Sequence, residues 1–377
     1  MKFIDIPGNQ AVKQALRDIA DSDRIPHAIL LSGPSGAGKM MLARAFAQYV
    51  HCLHPEDGEP CGRCQACRLH EDLTHPDMHF VYPVVKKAKE KLSVSADYAA
   101  QWKQMLRDFP EMPEEEWLDL MKAENSRPAI FVDEADEIIR ADSYPPFTAK
   151  RKIFVIWLPE KMRAETANKL LKVIEEPSEG TVFILVSDNE LQLLPTIFSR
   201  TQRYHVGRVS ESDMAGFLSS RYGIDPLMAP RLAHIAAGSL IEARRLGANS
   251  AEAEQFRQTY MEIMRSAYAK KVQKLRQIAD TVAGFGREKI RRFLDFMARM
   301  VRENFIYNLR MPQLSALTPE EEEFSKRFSP FVNHLNVEDF AAETDRARID
   351  IERNANSKIV LFDFFLTCII LLHRKER

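Results

Sequence analysis

The chain has 377 residues, and its 53 Lys and Arg against 54 Asp and Glu leave a formal net charge of -1. Hydrophobic residues make up 45% and charged residues 28%, which excludes disordered and fibrous classes. The neutral balance argues against a whole-molecule polyanion binder, and at roughly 100–200 residues per domain the length implies two or three domains.

The opening, Met1 to Gly8, lacks a basic segment followed by an apolar one, so it predicts no signal peptide. The first strand expected is Ile29-Leu30-Leu31. Directly after it comes Gly33-Pro34-Ser35-Gly36-Ala37-Gly38-Lys39, then a helix with Leu42, Ala45, Phe46, Tyr49 and Val50 at helical period. That is the G-x-x-x-x-G-K phosphate loop in its strand–loop–helix setting. Gly33, Gly36 and Gly38 would let backbone N–H groups wrap phosphates, and Lys39 would reach the terminal ones, so ATP or ADP binding is open. The next position is Met40, where the motif carries Ser or Thr to ligate Mg²⁺. A thioether is a poor ligand for so hard a cation, and catalysis is already in question.

Cys52, Cys61, Cys64 and Cys67 follow with the spacing C-x₈-C-x₂-C-x₂-C. Four thiolates around a turn at Gly62 suit a tetrahedral zinc with no open position, so the site predicted is structural. Free thiols or a redox C-x-x-C are the alternatives. His51, His54, His70 and His75 lie near the cluster and read as surface residues, while Cys368 reads as a core thiol.

Phe80-Val81-Tyr82 is the second strand expected, and residues 83–127 then break the rhythm as an inserted, mostly helical excursion. Ile130-Phe131-Val132-Asp133-Glu134-Ala135-Asp136 resembles an acid-tipped strand. However, its apolar spacing continues to Ile139, which predicts a helix whose Val132, Ala135 and Ile139 share a face and whose acids are surface charges. The better strand is Ile153 to Trp157, and it runs into Leu158-Pro159-Glu160. The metal and water acids of an ATPase are therefore missing at Leu158 and Pro159. A helix with Ala167, Leu170, Leu171 and Ile174 on one face stops at Pro177, and Val182 to Val186 is a fourth strand.

Beyond about residue 207 the strand signals vanish. The reading is a parallel α/β domain over 1–207, a small helical lid over 208–248 and an all-α domain over 249–377. The apolar stretch from Ile359 to Leu372 is about two-thirds of a bilayer span and contains Asp363, so it predicts a buried helix rather than a membrane segment. The compartment expected is the cytoplasm.

Taken together, the degenerate phosphate loop, the cysteine insertion after its helix, Asn168-Lys169-Leu170-Leu171-Lys172-Val173-Ile174-Glu175-Glu176-Pro177 and Ser199-Arg200-Thr201 resemble the AAA+ clamp-loader family of bacterial DNA polymerase III. Ile351-Glu352-Arg353-Asn354-Ala355-Asn356 is similar to the family's C-terminal collar, so the resemblance covers the whole chain. Within the family it is to the delta-prime members rather than the gamma/tau ATPases, which keep the residues that Met40, Leu158 and Pro159 replace. The resemblance implies a P-loop AAA+ domain, a lid and a collar. It implies a hetero-pentamer with gamma/tau and delta subunits that loads a sliding clamp onto primed DNA. It also implies that Arg200, in a Ser-Arg pair with Ser199, reaches the ATP of a neighbouring subunit. Thr201 departs from the family's Ser-Arg-Cys, and Ile241 stands where ATPase relatives carry a sensing arginine, with Arg244 and Arg245 a turn later. Two further readings stay open: a gamma/tau-like ATPase using Asp133 and Glu134, and a zinc-containing DNA-binding module with a relic loop.

Overall fold

The computed structural model describes residues 1–86, 92–123, 126–247, 251–311, 314–315 and 317–374. Two compact units divide the chain: Met1–Arg221 with Ala236–Ala243, and Tyr222–Ile235 with Arg244–Arg377.

The first unit is built on five parallel strands, β1 Ala28–Ser32, β2 Met78–Val81, β3 Lys152–Trp157, β4 Thr181–Ser187 and β5 Gln202–His205, in the order β2-β3-β4-β1-β5. Its helices are α1 Gln10–Asp21, α2 Lys39–His51, α3 Gln65–Glu71, α4 Ala99–Asp108, α5 Glu114–Leu120, α6 Val132–Asp142, α7 Ala164–Glu175 and α8 Pro195–Phe198. β1, β3 and β4 are buried along their whole length, which is why they read as unbroken apolar runs. Leu30, Phe154, Ile156 and Phe183 pack with Ala135 and Ile138 of α6 and Leu170 and Ile174 of α7. β5 is the strand that sequence reasoning misses. Gln202-Arg203-Tyr204-His205 pairs on one side only, with β1, and as a largely exposed edge it needs no apolar residues.

The excursion after β2 is helical, as expected, through α4 and α5; residues 87–91, 124 and 125 lie outside the described residues. An aromatic cluster holds it. Tyr82 lies 3.9 Å from Trp102 between ring centroids, Trp117 meets Trp102 edge-on at 5.3 Å, and Trp117 Nε1 donates to Pro83 O at 2.8 Å.

α9 Glu211–Tyr222, α10 Ala229–Ala236 and α11 Leu240–Gly247 lie in the stretch through which the division runs. The second unit continues with α12 Ala251–Tyr268, α13 Val272–Ala283, α14 Arg287–Asn308, α15 Pro319–Phe328, α16 Val337–Glu352 and α17 Ser357–Leu372. Its core includes Tyr260, Phe293, Met297, Phe340, Phe364, Phe365 and the expected Cys368.

α17 corrects one expectation. Leu361, Phe364, Phe365, Cys368 and Leu371 are buried, but Ile359 and Ile370 are 68% and 70% exposed. Apolar residues fall on more than one side of the helix, so covering one face leaves Ile359 and Ile370 in solvent beside the charged Lys358 and Asp363. No helix among the described residues is long and apolar enough to cross a membrane.

Candidate functional site

The phosphate loop leaves β1 and enters α2, at the carboxyl ends of the parallel strands. Gly36 has φ of 76°, and a Cβ there would meet Ser239 Oγ at 2.3 Å; Leu240 N–H donates to Gly36 O at 2.8 Å. A Cβ on Gly33 would fall 2.0 Å from Val206 O. The glycines are thus needed by the fold itself, because backbone and side chains from beyond β5 press on the loop.

Lys39 is buried, and its ammonium points back into its own chain. Nζ donates to Gly33 O at 2.7 Å and Pro34 O at 2.6 Å, and pairs with Asp188 Oδ1 at 2.8 Å. An ammonium has three protons, and all three have acceptors here. Sequence reasoning misses Asp188, whose place is set by the register: Ser32 of β1 pairs with Ser187 of β4, which brings Asp188 level with the start of the loop at Gly33. Met40 is 2% exposed and packs in the interior.

β3 ends at Trp157, followed by Leu158 in a left-handed conformation and Pro159. The first acid after the strand is Glu160, whose Oε1 accepts the N–H groups of Asp188 and Asn189 at 2.9 and 3.2 Å. Ile130 to Asp136 does fold as the start of a helix, α6. Its acids part ways: Asp133 pairs with Lys86 at 2.8 Å and Asp136 with Lys169 at 2.5 Å. The surface-charge expectation fails at Glu134, which is 5% exposed and accepts Ser95 N–H at 2.6 Å. The buried face runs through Glu134, Ala135, Ile138 and Asp142 rather than Val132, Ala135 and Ile139. Burial pushes the Glu134 carboxyl up to about 7, against the pull of Ser95.

Ser199 and Arg200 follow α8. Arg200 Nε meets Glu175 Oε2 at 2.7 Å and Nη1 donates to Thr196 O at 2.9 Å, while a third of the side chain stays exposed. Ser199 Oγ donates to Thr196 O at 3.3 Å and Thr201 Oγ1 to Phe198 O at 3.1 Å, closing the turn that carries the arginine. Arg203, three residues on, lies over the Phe198 ring at 4.5 Å.

The four cysteine sulfurs gather within 4.8 Å of one another between α2 and α3. Cys61 N–H donates to Cys52 Sγ at 3.2 Å and Cys64 N–H to Cys61 Sγ at 3.4 Å, with Gly62 at φ of 75° making the turn. Backbone N–H groups, that of Arg63 first, draw the Cys61 thiol down to about 6, and burial pushes Cys67 up to about 12. Four convergent sulfurs with N–H donors on them suit a closed zinc site, and Cys52, Cys61, Cys64 and Cys67 are the residues that could hold it.

The histidines beside it correct a second expectation. His54 is exposed, but His51, His70 and His75 are 4%, 8% and 5% exposed and lie together. His51 is one turn on from the buried Ala47 of α2, and His70 one turn on from the buried Cys67 of α3, so helical spacing held the signal. Burial lowers His51 to about 3 and His70 to about 2, which leaves both rings neutral.

Residues 8–210 match the family described as DNA polymerase III, delta subunit. The DNA polymerase III subunit delta' of Bacillus subtilis is 28% identical over 244 residues, 64% of this chain and 60% of that protein. The DNA polymerase III subunit tau/gamma of Haemophilus influenzae is 25% identical over 217 residues, 58% of this chain and 25% of that one. The chain therefore spans less than two-thirds of the length of these relatives. A DNA polymerase III gamma subunit-related protein of Thermotoga maritima aligns over 96% of this chain and 99% of its own, at 16% identity and a TM-score of 0.49.

Proposed function

The chain belongs to the DNA polymerase III, delta subunit family, and on that premise we propose that it serves a clamp loader as a delta-prime-like subunit without ATP turnover of its own. The observation that carries this reading is the contrast between Lys39 and Arg200. The phosphate-binding lysine is buried with its three protons taken, beside Met40 where a magnesium ligand belongs. The arginine stands on an exposed turn with Nε and Nη1 bonded. A planar guanidinium presented in that way can stabilise charge on a phosphoryl group transferring in a neighbouring subunit. In this reading the gamma/tau and delta subunits are the partners, ATP on other subunits supplies the energy, and the complex places a sliding clamp on primed DNA. Residues 208–248 act as the lid, and 249–377 as the collar through which the subunits assemble.

The second unit supports the collar role. Along α17, Ile359, Phe362, Leu366 and Ile370 fall at intervals of three or four and keep some solvent exposure, forming an apolar stripe edged by the exposed Asp363, with a helical partner's spacing. Zinc at the four cysteines would be structural, tying α2 to α3.

The competing reading is a gamma/tau-like ATPase that uses Asp133 and Glu134. The contacts of Asp133 with Lys86 and of Glu134 with Ser95 weigh against it. Steady-state ATPase of the purified chain separates the two. The proposal expects no turnover, and hydrolysis abolished by Asp133→Ala or Glu134→Ala would overturn it. Retention of the isolated chain on primed DNA would favour the DNA-binding module instead.

A further inference from the structure

We propose that His51, His70 and His75 form a second metal site, three imidazoles for a late first-row divalent cation such as zinc, separate from the four cysteines. The three rings come from different elements: the end of α2, the interior of α3 and the turn into β2. One ligand nitrogen from each lies within 4.8 Å of the others, and all three residues are at least nine-tenths buried. The ring centroids are 4.3, 4.7 and 5.0 Å apart. Three imidazoles bound at about 2.0–2.1 Å around a tetrahedral ion have ring centres roughly 5 Å apart, so His51 and His70 stand at that spacing, while His75, stacked on His51 with the rings 24° from parallel, must move outward to share the ion.

The hydrogen bonds set the nitrogens in the form a ligand needs. His51 Nε2 meets Arg151 O at 2.9 Å. The carbonyl only accepts, so the proton sits on Nε2 and Nδ1 is bare. His75 Nδ1 accepts Asp77 N–H at 3.2 Å and is bare, because the amide only donates. His70 Nε2 lies 2.8 Å from His51 Nδ1, and without an ion it donates there. Binding requires its proton to move to Nδ1 and the two nitrogens to part by about half an ångström.

A cavity of about 40 Å³ is lined by His70 and His75 together with Arg44, Gln48 and Met78. It holds more than the volume a water needs, so a fourth, exchangeable ligand has room. The Arg44 guanidinium in its wall favours an anionic one, such as hydroxide or chloride. Imidazole donors without thiolate or carboxylate suit zinc, cobalt and nickel rather than magnesium or calcium.

The test needs only the full chain and is independent of the clamp-loader reading. After zinc loading and desalting, elemental analysis should find two equivalents. His70→Ala with His75→Ala should keep one, and Cys61→Ser with Cys64→Ser should also keep one. Because the alanines remove buried rings, a Co²⁺ titration of the unsubstituted chain gives a second measurement. One equivalent should bring thiolate-to-cobalt charge transfer, and another should add d–d absorption alone. Saturation at one equivalent carrying only thiolate bands, lost with the cysteines, overturns the proposal and leaves a neutral imidazole network. A single equivalent that survives the cysteine change and disappears with the histidines sustains it, and overturns the cysteine site instead.

Discussion

The phosphate loop and the Arg200 turn invert what their sequences advertise. Gly33 to Lys39 keeps the spacing and the lysine of a nucleotide-binding motif, yet Lys39 gives its protons to Gly33 O, Pro34 O and Asp188. Arg200 belongs to a short polar stretch that composition alone would leave as ordinary surface, yet a turn closed by Ser199 and Thr201 holds it partly in solvent. The difference teaches that a binding motif is a statement about donors, and donors count only within reach of a ligand: Lys39 has all three protons bonded in the interior, whereas Arg200 bonds Nε and Nη1 but keeps a third of its side chain in solvent.

The strongest way to break the comparison is Arg200→Ala in a reconstituted clamp loader. An arginine finger can contribute about a thousandfold or more at its own site. The clamp- and DNA-stimulated ATPase should fall, diluted in the total by the other interfaces, and clamp loading should fall with it. Chain folding should change little, because the part-exposed pair of Arg200 with Glu175 is of a kind that contributes about 0–1 kcal/mol. Arg203→Ala is the matched control: it loses only the contact over Phe198 and should be close to silent. Equal rates for the two variants would make Arg200 an ordinary ion-pairing residue, and the contrast with Lys39 would collapse.

Lys39→Ala sharpens the other half. In a working phosphate loop the change would abolish nucleotide turnover and leave stability alone. Here it should do the reverse. Gly33 O, Pro34 O and Asp188 lose their shared donor in a buried setting, which costs about 1–3 kcal/mol. Urea denaturation of the full chain reads that loss. The ATPase of the complex should be unchanged wherever the variant is folded, and a drop there would show that Lys39 takes part in turnover.

How much of this was legible follows the same division. β1, β3 and β4 announce themselves because both faces are buried, and the apolar runs leave no ambiguity. β5 is silent because an edge strand is held by backbone pairing with β1, to which side-chain polarity is indifferent. The cysteine cluster could be read from spacing because its ligands are local in the chain. Asp188 could not, because it meets Lys39 through the β1–β4 register, about 150 residues away. Histidine is intermediate in its burial tendency, and the surface expectation fails for His51, His70 and His75 because three elements converge on them; helical spacing holds the signal for two of the three. α6 was readable as a helix from its period. Which of its acids is buried was not, since that depends on Ser95 from the excursion that packs over it.

Glu134 gives the smallest and most specific effect, and it bears on the rival ATPase reading. Its carboxyl is raised to about 7 in the folded chain against an ordinary 4.5, chiefly because burial penalises the anion, with Glu137 and Asp97 adding to the rise and Ser95 opposing it. For an acid shifted upward, the native state binds the extra proton. Its stabilising contribution is complete below about pH 4.5 and is lost as pH rises through about 7. Glu134→Gln keeps the shape and an acceptor for Ser95 N–H but cannot ionise. The stability difference between the two proteins should therefore move in favour of the glutamine by roughly 2 kcal/mol between pH 5.5 and pH 7.5. Groups common to both chains, the cysteines included, cancel in that difference. Paired denaturation curves at several pH values measure it. A difference that stays flat across the range would mean Glu134 is ionised and solvated. It would then be available as the acid an ATPase needs, and the loop beside it would have to be reconsidered as a working one.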